Sequence, residues 1–524
     1  MIHESVKTIP APAHPRSRIV IIGGGAVGLF LAKILHDQGA QPIVVESGTR
    51  QLGTFGQPSW VSVGREHLGV RFGRSRSLGG TSNLWGGQLA GFRAIDIRPA
   101  GPNGIGWPIS FQEIAAHYGE TYERLGVPVE VHEDAPIWNG VMGAVPNLGP
   151  DLQVFLTRWM REPSLARLFG TEIDGPGLHV LLGHAAVGFR GDRGRIDRVL
   201  LSDRSGSRSE IEARTFVIAA GTIETSRLLL AAAEDPQFDC PWRTNRNVGC
   251  YFQDHLTGRI GVVHPIDKRR LSNLFCTIHW KGRKYQPKFR FSEEYQRAHG
   301  LLGVQGIVTF EGSVSEHLTY LKQFLKASLR SRKVTGVADA FKHALASARH
   351  LPPLMWTYVR HHRIGMPSGA RIILYAQSEQ APLLRSQIRL DRERRDEYGL
   401  PRAILDWQVD VDAELTAVRE FALKADAALR EAGLARVEID ERLLARDSRY
   451  VDGMHDTWHQ CGGAVVGLTE SDGVVDRDLM VFGTSNLYVC GASTFPTNGE
   501  ANVTFLAMAL ATRLAKHLAA QASL

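Results

Sequence analysis

The sequence predicts an α/β fold: a Rossmann-like nucleotide-binding domain plus a second, α+β domain built on an antiparallel sheet. Three observations carry that prediction. A β-branched run from Arg18 to Ile22 leads into Gly23-Gly24-Gly25-Ala26-Val27-Gly28 and then an apolar-periodic stretch through Leu29, Leu31, Ala32 and Leu35. Between Ser386 and Asp410, Ile388, Leu390, Ala403, Leu405, Trp407 and Val409 alternate with polar residues, as paired half-buried strands do. At 524 residues the chain is too long for one simple core, so two large lobes are expected.

The amino-terminal element reads as strand, tight turn and helix. Gly23 permits the turn, Gly25 lets the backbone approach a pyrophosphate, and Gly28 lets helix and strand pack closely, with Ala26 and Val27 opening the helix. A second strand, Pro42 to Val45, ends in Glu46, about 20 residues past the turn, where a carboxylate accepts from ribose hydroxyls and disfavours a 2′-phosphate. A bare glycine turn is the alternative, and the strand, helix, second strand and acid together favour the nucleotide site. The motif itself does not separate FAD from NAD.

Further along, Arg76-Ser77-Leu78-Gly79-Gly80-Thr81-Ser82-Asn83-Leu84-Trp85-Gly86-Gly87 is a run of small and polar residues whose backbone can approach a flat ring. Asp412 to Glu431 reads as a helix ended by Gly433. In the last seventy residues, His459 stands in WHQCGG. A buried strand (Asn486 to Cys490), a small-residue turn, a Pro-Thr-Asn-Gly loop and an apolar helix from about Val503 follow. This order puts an imidazole and Asn502 near a helix N-terminus, where N–H groups and the dipole favour negative charge. A neutral imidazole suits proton abstraction near neutral pH, and Asn502 can donate to a substrate oxygen and cap the helix. The plainer readings are a satisfied core histidine, with His455 as a neighbouring competitor, and an asparagine that only caps. Asp254 and His255 read as a structural pair ordering a loop, and Cys461 as a small buried filler.

Composition is that of a globular protein, 43% hydrophobic and 22% charged, with a net charge of +7. The five cysteines form no CxxC pair, which fits a reducing compartment and excludes a zinc-like ligand set, so no metal is expected. No run of about 20 apolar residues occurs. The first 15 residues, with several prolines, read as a loose leader, and Ile19 to Leu35, although it could pass for a signal h-region, reads as strand–turn–helix. Between 318 and 363, nine Lys and Arg face the single acid Asp339, with Leu318, Leu321, Leu325 and Leu329 at helical spacing and an aromatic stretch around Trp356 and Tyr358. A solvated helical face is the plainer reading, and peripheral contact with an anionic membrane is the alternative. Nucleic-acid binding is not expected, because no recognised module appears.

With these motifs, GWPISFQEIAAHYGETYERLGV (Gly106 to Val127), FVIAAGTIETSRLLL (Phe216 to Leu230), NVGCYFQDHL (Asn247 to Leu256) and the C-terminal block, the chain resembles the glucose-methanol-choline oxidoreductases, and more narrowly their pyranose-oxidase and fructose-dehydrogenase side. The matches run in family order from residue 18 to 516 and are poor over about 130–175 and 265–380. The resemblance implies FAD and oxidation of an alcohol to a carbonyl by hydride transfer. It implies His459 as base and Asn502 as its partner, with Gly463 departing from the family threonine. Cofactor contacts would come from Gly23, Gly25, Ala26, Val27, Gly28 and Glu46, from Gly79, Gly80, Thr81, Ser82, Asn83 and Trp85, from Ala220 and Gly221, and from Gly491, Ala492, Asn502 and Val503. Leu84 stands where pyranose oxidases carry the histidine that bonds the flavin, so the FAD is expected to be non-covalent.

The expected organisation is discontinuous. Residues 16–105, 177–260 and 451–524 form the FAD-binding domain, and 106–176 and 261–450 the substrate domain, including the basic segment 318–363. The substrate is expected to be a sugar, glycoside or polyol, with oxygen or another acceptor taking the electrons. The expected location is cytoplasmic or peripheral at the membrane. The alternatives are a cyanohydrin-type lyase on the same fold, and a partner-dependent electron-transfer subunit of a membrane-associated dehydrogenase.

Overall fold

The computed structural model describes residues 1–10, 18–51, 60–99, 105–312 and 369–522, together with Asp339 and Lys342. Almost all of the basic segment 318–363 therefore lies outside the described residues.

A six-stranded parallel sheet forms the nucleotide-binding half, in the order Ile2–His3, His179–Leu182, Ile43–Glu46, Ile19–Ile22, Thr215–Ile218, Leu487–Val489. Its central strands are buried on both faces, which is why IVII, IVVE and TFVI read as continuous apolar runs rather than alternations. The chain start is a correction to the sequence reading: Ile2 and His3 pair with Val180 and Leu181 as an edge strand instead of trailing as a loose leader. Backbone pairing along a buried edge holds a short strand that hydrophobic pattern alone does not reveal.

The helix Ala26–Asp37 leaves the turn as the motif requires. It packs against the terminal helix Val503–Ala522. That helix, over Val503–Gln521 with a mean hydropathy of 1.2, is the one among the described residues long and apolar enough to cross a membrane, yet 67% of the window is buried inside the protein. Its Phe505 stacks on Tyr122 of the helix Tyr118–Arg124, with ring centroids 4.1 Å apart.

An antiparallel sheet of nine strands among the described residues lies beside this half. Its main path runs Ala435–Ile439, Leu256–Pro265, Arg371–Ser378, Val304–Glu311, Arg283–Phe291, Leu152–Trp159, Gln88–Leu89. The helix Val411–Glu431 covers one face, and its Phe421 packs against Phe289 and Phe291 with centroids 5.3 and 5.2 Å away. Such aromatic pairs add about 0.5–1.5 kcal/mol beyond area burial. Because side chains alternate along a strand, Lys288 and Arg290 point to the opposite face. The alternating stretch forms the hairpin Gln387–Arg395 and Pro401–Trp407, but it does not enter the large sheet. Pro401–Trp407 instead pairs in parallel with Trp60–Gly64, making a separate three-stranded sheet.

Candidate active site

The glycine turn is held by backbone contacts. Gly23 donates to Val45 O at 2.8 Å, and the second glycine-rich loop docks on the first through Gly79 N to Gly24 O, also 2.8 Å. Gly23 has φ +114°, and a Cβ there would lie 2.5 Å from Ala219 O; one on Gly28 would lie 2.0 Å from Gly23 O. Gly25 differs, because a Cβ on it would meet nothing within 4 Å. It faces a cleft of about 1480 Å³, including its open mouth. Gly25 caps the helix Ala26–Asp37 without a side-chain hydrogen bond, so the first N–H groups of that helix are left for an anion.

Gly23, Ala26, Val27, Glu46, Gly80, Thr81, Ala220, Gly221, Gly491, Ala492 and Val503 also line this cleft. Glu46 is already engaged: its oxygens accept from Gly24 N at 2.9 Å and Gly48 N at 2.7 Å, and burial pushes its pKa up despite those bonds. Each oxygen keeps a second acceptor site for a ribose hydroxyl. Ser82, Asn83 and Trp85 are spent on the fold. Ser82 Oγ binds Gly79 O, Asn83 Nδ2 donates to Leu78 O at 2.8 Å while its Oδ1 accepts from Ser164 Oγ at 2.6 Å, and Trp85 Nε1 donates to Pro163 O at 2.8 Å. They brace the loop that presents Gly80 and Thr81. The sequence reading missed Arg74, Arg76, Glu224 and Tyr398 on the cleft wall, where Arg74 and Glu224 pair at 2.6 Å. A charged pair far apart in sequence leaves no local pattern.

Trp458 and Gln460, the chain neighbours of His459, also line this cleft, whereas His459 itself is not among its lining residues. Trp458 takes φ +68°, an uncommon conformation for a bulky residue, and packs on Gly69 and Gly73, which leave it room. His459 is tied at backbone and ring. Its N–H donates to Asp254 Oδ1 at 2.9 Å, and its Nδ1 lies 2.7 Å from Thr457 Oγ1 and 3.0 Å from His255 Nδ1.

The network assigns the tautomers. His255 Nε2 faces two carbonyl oxygens, Asn498 O at 3.1 Å and Gly499 O at 2.8 Å, so it carries the hydrogen. Burial pushes the His255 pKa down, so its ring is neutral and its Nδ1 must accept, as it also does from Gln377 Nε2 at 3.3 Å. His459 Nδ1 is therefore the donor, and its Nε2 keeps a free lone pair with no partner among the described residues. Burial, reinforced by His255 and Lys288 against the opposing pull of Asp254, lowers the His459 pKa to about 3. His255, read from sequence as part of a structural pair, thus touches the candidate base directly.

Asp254 is braced in turn. Its Oδ2 accepts from His67 Nε2 at 3.0 Å, and although burial alone would raise its pKa, the His67 hydrogen bond and the surrounding imidazoles leave it lowered. His67, Asp254 and Asp456 lie close enough to share an ion. Their ligand atoms are occupied: His67 Nδ1 accepts from Val70 N at 3.1 Å, and Asp456 accepts from Leu68 N and Gly69 N at 2.6 Å each. The cluster serves as a brace beneath the loop carrying His459.

Asn502 corrects one expectation. Its Oδ1 is buried and makes no hydrogen bond among the described residues, so it does not cap the terminal helix. An orphaned acceptor beside Val503, which lines the cleft, fits a bound group that donates to it, and a helix start with no acidic residue in its first turn fits a ligand carrying negative charge. With the open backbone at Gly25, the residues present fit a dinucleotide extending from the glycine turn toward His459.

Comparison with known proteins agrees. Residues 382–511 match the family model described as GMC oxidoreductase. A 2-methyl-1,2-propanediol dehydrogenase of Mycolicibacterium austroafricanum is 22% identical over 497 residues, covering 84% of this chain and 80% of the relative. The fructose dehydrogenase large subunit of Gluconobacter japonicus is 22% identical over 327 residues, 62% of this chain and 50% of the relative. The crystal structure of pyridoxine 4-oxidase from Mesorbium loti shares the fold with a TM-score of 0.56 at 16% identity, covering 96% of this chain and 99% of that one. Residues 382–511 carry the C-terminal domain of the GMC oxidoreductases, and the protein is an FAD-dependent oxidoreductase acting on CH–OH donors.

Proposed function

We propose that this protein oxidises a hydroxyl of a sugar, glycoside or polyol, with His459 as the base and Asn502 as the group that orients the substrate. The observation that carries this reading is the unprotonated, unpartnered Nε2 of His459, whose ring is fixed from behind by His255 and Thr457. The carbinol proton passes to that Nε2, which removes the charge that would otherwise build on carbon and oxygen as the C–H bond breaks. Bound FAD supplies the acceptor for the hydride. The Asn502 side-chain oxygen, without a hydrogen-bond partner among the described residues, is available to a group bound near that reaction. The polyhydroxylated class is supported by the propanediol and fructose in the relatives' names.

The FAD is held without a covalent link, since Leu84 offers no nucleophile where the resemblance would place one. Acid precipitation should then release the yellow colour into the supernatant. The reaction is tested by anaerobic stopped-flow mixing with monosaccharides, glycosides and polyols. Bleaching of the flavin band by a member of that set is expected. An unchanged spectrum with all of them, while the protein retains its FAD, would remove the assignment.

A further inference from the structure

On the face of the large sheet turned away from the helix Val411–Glu431, the strand Arg283–Phe291 carries Lys288 and Arg290, both buried, at 3% and 9% exposure. Arg290 has partners: it pairs with Glu500 at 3.1 Å, donates to Gln153 Oε1 at 3.2 Å and lies over the Phe155 ring. Lys288 stands in register with Phe155. Its ammonium makes no hydrogen bond or ion pair among the described residues. An unpaired buried ammonium is costly, and such groups gather at functional sites.

The surroundings do not neutralise it. Glu500 is claimed by Arg93 at 3.0 Å and by Arg290, and burial and then Glu500 push the Asp96 pKa up, holding that acid toward its neutral form. Three cations, Arg93, Arg290 and Lys288, thus share one carboxylate. Lys288 shares its sheet face with Arg290, whose register partner Gln305 pairs in turn with Gln377, and Gln377 reaches His255 beside His459. That row of side chains leads toward the reaction centre, and Lys288 is also among the groups that depress the His459 pKa.

We infer that Lys288 is a specificity residue that pairs with an anionic group, a carboxylate or a phosphate, on the alcohol oxidised at His459. The substrate class narrows to acidic polyols such as sugar acids or sugar phosphates. This inference rests on the proposed oxidation, and it assigns Lys288 no part in moving the proton or the hydride.

The test uses the FAD-loaded protein and two readouts. In the first, malonate and inorganic phosphate, which carry no oxidisable carbinol, are titrated while the flavin absorbance is followed. In the second, gluconate, glucose 6-phosphate and the neutral sorbitol are compared in anaerobic flavin reduction. Saturable perturbation by one of the two anions is expected, and the anion that binds distinguishes carboxylate from phosphate. Lys288→Met should weaken that binding, and the reduction half-saturation for the matching acidic substrate, by at least about tenfold, with sorbitol little affected. Lys288→Arg, which keeps the charge, should retain most of the binding and covers the case in which the neutral variant fails to fold. Failure of both anions to bind wild type, or equal binding by wild type and Lys288→Met, overturns the inference. Bleaching by sorbitol without anion binding rejects Lys288 and spares the oxidation. Anion binding lost in Lys288→Met, with no bleaching by any alcohol, does the reverse.

Discussion

The two glycine-rich loops meet through backbone, whereas around His459 side chains carry most of the contacts. Residues 23–28 and 79–80 meet through main-chain hydrogen bonds, and side chains there are nearly excluded: a Cβ on Gly28 would collide with Gly23 O at 2.0 Å. The imidazole end draws on His67, Asp254 and His255, Gln377, Thr457 and His459, and the carbonyls of 498–499. The backbone-built region can hold a cofactor common to many enzymes without reading a substrate. The side-chain-built region sets a tautomer, a pKa and a local charge, which are the properties that select a reaction.

Substitutions at the imidazole end should therefore damage chemistry while leaving FAD in place. The largest effect is expected for His459→Ala, which removes the base and should slow anaerobic flavin reduction at least about a hundredfold, with FAD content unchanged. Normal reduction in that variant would end its assignment. His255→Phe keeps ring volume but removes the acceptor that holds His459 Nδ1–H. Losing one orienting hydrogen bond of about 1.5 kcal/mol corresponds to roughly a tenfold fall in the reduction rate. A rate equal to wild type would mean that Thr457 alone sets the tautomer.

The glycine end should show the opposite separation, and two neighbouring glycines sharpen it. Gly28→Ala places a methyl into the Gly23 carbonyl and should cost about 1–3 kcal/mol of stability, read as a lowered Tm of the protein stripped of FAD. Gly25→Ala meets nothing within 4 Å, so the stripped protein should melt as wild type does. The same methyl points where a pyrophosphate approaches, and FAD affinity should drop about tenfold. Equal FAD affinity in Gly25→Ala would mean that the dinucleotide lies elsewhere.

This division also explains what could be read from the sequence. Residues 18–46 were legible because strand, turn, helix and acid lie within thirty positions and each has a local physical reason. The helix Val411–Glu431 was legible through its period and the Gly433 stop. The brace around His459 was not, because Asp254 and His255 approach it from about two hundred positions away and no periodicity records such a meeting. Lys288 was hidden for a related reason: in RKYQPKFRF it looks like one more solvated charge until the sheet buries it. Asn502 looked like a cap from its place before a helix, but its Oδ1 stays unbonded among the described residues.

The remaining comparison concerns pH, and it separates the two ends again. In the unfolded chain His459 has the ordinary histidine pKa, and in the folded protein burial holds it at about 3. Between those values the unfolded chain binds a proton that the folded protein does not, so this residue withdraws stability as pH falls from about 6.5 toward 3 and costs nothing above that window. His459→Ala should therefore flatten the acid side of the Tm–pH curve, whereas Gly28→Ala should lower the whole curve without changing its shape. For the reaction, the base stays unprotonated well below neutrality, so flavin reduction should hold its rate through pH 6 rather than halving near 6.5 as a solvated imidazole would require. A rate that falls with an apparent pKa of about 6.5 would show that His459 is hydrated during the reaction, and the seclusion of its ring by His255 and Thr457 would not survive the entry of substrate.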